Sequence, residues 1–159
     1  MNDIACLDRD GIAALIPHSG NMCLLARLAS WDAQRISCVA TNHRDADHPL
    51  RTASGLMSPC AIEYAAQAMA LHRAFGDGDA AGRTGDANAA RGMLASVRAV
   101  TCHVARLDDV EGELTIEAAR ISGDGNVVVY AFEVKSGARA LVTGRASAVL
   151  DLQSLGTAR

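Results

Sequence analysis

The chain has 159 residues, half of them hydrophobic but only 3% aromatic, and a net charge of −3, which suits one domain around one well-buried core. With aromatics limited to Trp31, two Tyr and two Phe, that core must be built from Ala, Val, Leu and Ile. The charges are scattered with no basic face, so a nucleic-acid partner is not expected. The cysteines, Cys6, Cys23, Cys38, Cys60 and Cys102, are odd in number and far apart, with no C-x-x-C pair. They signal neither a disulfide framework nor a thiolate zinc site. The opening MNDIACLDRDG has no basic region followed by an apolar run, so no signal peptide is expected and a reducing cytoplasm is the default.

In chain order, Asp10 to Leu15 reads as a short helix, with Asp8 or Asp10 available as N-cap and Pro17 ending it. His18-Ser19-Gly20-Asn21 is turn chemistry. The apolar run Met22 to Ser30 suits a buried strand. In Arg35 to Asn42, Ile36, Cys38 and Ala40 alternate with Arg35, Ser37, Val39 and Thr41, a period of two that predicts a strand. With a turn at Asp32-Ala33, the two read as a hairpin. From His43 to Ser58 the pattern stops, and a loop of this length in a compact domain points to function.

Pro59 to Phe75, PCAIEYAAQAMALHRAF, is apolar almost all round a helical wheel. Such a helix belongs in a core or a membrane. At 1.5 Å per residue it spans roughly 25 Å, nearly a bilayer. Glu63 and Gln67 in its first half argue against lipid, where an ionised carboxylate is costly, so no membrane span is expected. Their i,i+4 spacing puts both on one face. A carboxylate on a helix wrapped in protein needs a partner or a purpose.

Gly76 to Arg91, rich in Gly, Asp and Ala, reads as a surface connection. Four strands are predicted after it, over Gly92 to Val104, Gly112 to Ile121, Asn126 to Lys135 and Ala138 to Leu150. Leu114, Ile116 and Ala118 form one buried row, and Val142, Ala146 and Ala148 another. SGDG at Ser122 to Gly125 and Ser136-Gly137 are hairpin signals, and Leu152 to Arg159 reads as a frayed tail. Two strands, one long helix and four strands imply an α+β domain over residues 1–159.

Two segments, IPHSGNMCLLARL at Ile16 to Leu28 and IEYAAQA at Ile62 to Ala68, resemble the β-hydroxyacyl-acyl carrier protein dehydratases of the hotdog fold. Those enzymes carry L-P-H-x-x-P-x-L-L-x-D-x at the first strand and I-E-x-x-A-Q on the central helix. NHRDADHPLR resembles most the dehydratase-like branch of aryl-polyene and related fatty-acid-like clusters. The resemblance implies a hotdog domain, a long helix wrapped by a curved antiparallel sheet of five or six strands. It also implies a homodimer or a heterodimer with another hotdog subunit, since the family's catalytic His and Glu come from opposite subunits. The implied reaction converts carrier-bound 3-hydroxyacyl thioesters to trans-2-enoyl thioesters, with no cofactor and no metal.

Residue by residue, the resemblance makes Glu63 the catalytic carboxyl and His48 the positional match for the histidine, with one residue more between them than in the family. The family's Pro-Gly at the helix start is Met57-Ser58 here, and its first-strand Asp-Arg is Ala26-Arg27. His48 as base and a buried, protonated Glu63 as acid would divide the proton transfers. Gln67 would orient Glu63, and the helix start at Ser58, Pro59 and Cys60 would stabilise the enolate-like oxygen, with Ser58 offering a backbone N–H.

Blander readings stand beside these. Glu63 can be a core carboxylate satisfied by Gln67, and His48 a loop residue beside Pro49. His18 reads as a structural turn residue and Cys60 as a packed thiol. His43, Asp45, Asp47 and His48 lack a recognised metal-ligand pattern. Two further functions remain open: a catalytically weak subunit that partners an active dehydratase, and an acyl thioesterase using Glu63 without His48.

Overall fold

The computed structural model describes residues 7–76 and 93–150. The expected connection over Gly76 to Arg91 and the tail after Leu152 therefore lie outside the described residues, Gly76 excepted. Helix α1 (Arg9–Ala13) is capped by Asp8, whose Oδ1 accepts the Gly11 N–H at 3.0 Å. Strands β1 (Arg27–Trp31) and β2 (Arg35–Ala40) form the expected hairpin. Asp32 sets its turn, accepting the Gln34 and Arg35 N–H groups at 2.7 and 2.8 Å. The central helix follows a 3₁₀ turn at Ser58–Cys60 and runs as α2 (Ala61–Gly76).

The remaining strands are β3 (Met93–Cys102), β4 (Leu114–Asp124), β5 (Val127–Ser136) and β6 (Arg139–Val149). All six join one antiparallel sheet in the order β1-β2-β4-β5-β6-β3. β4, β5 and β6 form a meander, and β3 is returned to the far edge beside β6. The predicted rows lie inside: Ile36, Cys38 and Ala40, then Leu114, Ile116 and Ala118, then Val142, Ala146 and Ala148. They meet the helix through Ala61, Tyr64, Ala65, Ala68, Met69 and Leu71. Small residues let sheet and helix approach closely. At Gly144 an added Cβ would lie 2.9 Å from the Phe132 ring, its cross-strand partner.

Two boundaries differ from expectation by more than two residues. Ser122 and Gly123 belong to β4, so the β4–β5 turn is the two residues Gly125-Asn126. The run Met22 to Ser30 is a strand only from Arg27 onward, with a 3₁₀ turn at Gly20–Met22 before it. Cys23, Leu24 and Leu25 are fully buried outside the ladder. Backbone groups of Met22 and Leu24 pair with a helix side chain, Gln67, in place of a neighbouring strand.

The segment leading into α2 is fixed by strand-like pairing. The Leu107 N–H donates to the Leu56 carbonyl at 2.8 Å, and the Ser58 N–H to the Ala105 carbonyl at 3.0 Å. Asp108 accepts the Leu56 N–H at 3.0 Å and two guanidinium bonds from Arg106. The Arg106 guanidinium holds the Asp108 carboxyl well below the usual carboxylate range. Gly55 has φ +104°, and a Cβ there would lie 2.7 Å from Arg106 and Asp108 atoms, so only glycine fits.

Candidate active site

Glu63 lies in the first turn of α2 with one-third of its side chain exposed. Its Oε1 is 3.0 Å from His18 Nε2 and accepts a second bond from Gln67 Nε2 at 3.2 Å. These contacts hold the Glu63 carboxyl below its ordinary pKa, the His18 bond leading, against the opposing effect of burial. That direction is opposite to the raised pKa expected of Glu63 as a protonated acid, and it favours the carboxylate. His18, read from sequence as a turn residue, is its nearest partner.

Gln67 is fully buried and does more than orient Glu63. Its Oε1 accepts the Leu24 N–H at 2.8 Å, and its Nε2 donates to the Met22 carbonyl at 2.8 Å. One amide thus ties the segment after His18 to the helix that carries Glu63.

His48 has a different setting from the one the resemblance assigns. Its ring is buried. Nδ1 accepts the Leu50 N–H at 3.1 Å, so Nε2 carries the proton and donates to the Tyr64 hydroxyl at 2.9 Å. Tyr64 in turn donates to Asn42 Oδ1 at 2.7 Å. Burial lowers the His48 pKa, keeping the imidazole neutral. With both nitrogens engaged, His48 anchors its loop to α2 and leaves no lone pair for a substrate proton. Tyr64→Phe would strand the buried donor of His48 and the buried acceptor of Asn42. It is expected to cost about 1–3 kcal/mol, read as a lower midpoint in urea unfolding.

The helix start is also occupied. The Ser58 N–H is bonded to Ala105 and the Cys60 N–H to the Met57 carbonyl at 3.0 Å, and Pro59 has none to give. The donors expected there for a thioester oxygen are already paired within the chain. Burial pushes the Cys60 thiol up, so it stays a packed thiol. His43 Nε2 donates to the Val110 carbonyl at 2.9 Å. His43 and His48 thus turn to separate partners.

Glu63 and His18 line a cavity of about 280 Å³ with Pro17, Ala66, Met69, Ala70 and Arg73, closed by Met93 and Leu94 of β3 and Ala148 of β6. The helix contributes a stripe, Glu63, Ala66, Ala70 and Arg73, that runs away from the carboxylate along an apolar floor. A larger hollow of about 550 Å³ crosses the sheet, with Ala119 and Ala131 among its lining and Arg35, Glu117, Glu133 and Arg145 charged around them. It shares no residue with the Glu63 cavity. Among the described residues no helix is long and apolar enough to cross a membrane.

A long buried helix laid against a six-stranded antiparallel sheet, with an acidic residue in the helix's first turn, defines a hotdog protein. The chain belongs to the ApeP-like dehydratase family, whose model matches residues 11–155. No curated protein sequence matches it. Among solved structures it is similar to the dehydratase heterocomplex ApeI:P from Xenorhabdus doucetiae, with 26% identity, a TM-score of 0.75, and coverage of 90% of this chain and 92% of that one. AziG of S. sahachiroi (17% identity, TM-score 0.56, 79% and 90% covered) and a thioesterase variant from Pseudomonas aeruginosa (14%, 0.55, 79% and 81%) share the fold.

Proposed function

We propose that this chain is one subunit of a two-subunit hotdog dehydratase acting on 3-hydroxyacyl thioesters carried by acyl carrier protein, in polyene- or fatty-acid-type synthesis. The observation that carries this reading is the half-complete site. A carboxylate stands at the mouth of an apolar cavity, while the chain's own His48 and helix-start N–H groups are already bonded elsewhere. The similar ApeI:P structure is described as a dehydratase heterocomplex, which agrees with a site completed by a second subunit.

In this reading Glu63 takes the Cα proton, and the C–H electron pair moves toward the thioester carbonyl as an enolate. Those electrons return to form the C2–C3 double bond as the C3–O bond breaks. The same carboxyl gives the proton to the departing hydroxyl, water leaves, and the carboxylate is restored. Donors for the enolate oxygen come from the partner subunit. The apolar stripe of Ala66 and Ala70 receives the acyl chain.

The test is enoyl product formation from a 3-hydroxyacyl-acyl carrier protein, followed by mass. It compares the purified chain alone with the complex formed with the hotdog protein that co-purifies from its native host. Turnover in the complex alone is the expected result. Turnover by the chain alone would make it self-sufficient, and release of free thiol would make it a thioesterase; either overturns the proposal.

A further inference from the structure

We propose that His18 is the positioning residue of Glu63, holding one carboxylate oxygen so that the other is presented to the cavity. The inference rests on the dehydratase reading and deepens it. Two donors, His18 Nε2 and Gln67 Nε2, converge on Glu63 Oε1. Among the described residues no protein donor is bonded to Oε2, which is left to accept a substrate proton.

His18 is held from both sides. Before it, Ile16 N–H donates to Ile12 O at 3.1 Å and Pro17 restricts the backbone. After it, Met22 N–H donates to Ser19 O at 3.2 Å, and Met22 and Leu24 are docked on Gln67. Its Nδ1 has no hydrogen-bond partner among the described residues, so the side-chain contact that orients the ring there is the one from Nε2 to Glu63.

The charge environment leaves His18 in control. Among the described residues, the titratable groups lining the cavity are His18, Glu63 itself and, farther along α2, Arg73, and β3 and β6 contribute Met93, Leu94 and Ala148. Losing the His18 donor therefore removes the main contact that favours the carboxylate, while the effect of burial remains. The Glu63 midpoint should rise, and a reaction that needs the ionised form should lose rate on the acid side first.

The experiment is a carbon-13 NMR titration of the Glu63 carboxyl in wild type, His18→Ala and His18→Gln, paired with pH–rate profiles of the complex. His18→Ala is expected to move the Glu63 midpoint and the acid limb of the profile upward together. His18→Gln, whose amide can reach the same oxygen without titrating, should restore both. An unchanged midpoint in His18→Ala overturns the inference. If that variant does not fold, a wild-type Glu63 midpoint at or above the ordinary glutamate value overturns it, and one below supports it. Turnover lost in Glu63→Gln with an unshifted His18→Ala profile leaves the dehydratase reading standing and removes only His18. Turnover indifferent to Glu63→Gln removes the reading itself.

Discussion

Glu63→Gln in the assembled enzyme is expected to lower turnover by about 10²- to 10⁴-fold, the usual worth of a positioned general acid–base group. The replacement keeps the shape of the side chain. Its amide oxygen can still accept from His18 and Gln67, the two donors now seen on Oε1. What it removes is a lone pair able to take and return a proton. The melting temperature should therefore stay close to that of the wild type while enoyl product disappears. Loss of turnover together with a large fall in melting temperature would mean that the carboxylate serves folding, and full turnover would remove it from the chemistry.

The largest stability effect is expected at Gln67→Leu. A leucine fills similar space but leaves the Leu24 N–H and the Met22 carbonyl without their partner, and Leu24 is fully buried. One buried and one part-buried backbone group stripped of hydrogen bonds should together cost about 3 kcal/mol, or roughly 6–12 °C in melting temperature for a chain of this size. His18 lies just ahead of that segment, so turnover should fall as well. An unchanged melting temperature would show that the segment from Met22 to Leu24 is held by something other than Gln67.

These two residues also mark where the sequence was legible. Alternation in β2, β4 and β6 predicted the buried rows correctly, because a strand's faces repeat every two residues and the pattern needs no distant information. The helix from Pro59 was equally readable from its composition. Met22 to Ser30 was not, since an apolar run reports burial but not which groups satisfy its backbone. Its partner proved to be a glutamine more than forty residues onward.

The same limit governed the site. Glu63 and Gln67 are neighbours on one helix, and their contact was predictable from i,i+4 spacing. His18 reaches Glu63 only through tertiary folding, and the sequence offered no more than a Pro-His pair within a segment already resembling the family. His48 was assigned by position in a loop, where one additional residue breaks simple correspondence. Tyr64, adjacent to Glu63 on the helix, is what binds it, and only coordinates could show that.

The place of β3 carries a kinetic consequence. β4, β5 and β6 are joined by two-residue turns and can assemble locally, whereas Met93 must find Val149 across the whole of that meander. Closing so long a loop is entropically costly, so this strand is expected to dock late in folding. Paired among the described strands with β6 and no other, it should also open early, its amides exchanging with solvent before those of β4 and β5. Met93 and Leu94 stand at its start. One wall of the Glu63 cavity therefore belongs to an edge strand of the sheet, while Glu63 stands on the enclosed helix. Under the proposed dehydratase reading, such a division would let the cavity loosen around an acyl chain without disturbing the carboxylate.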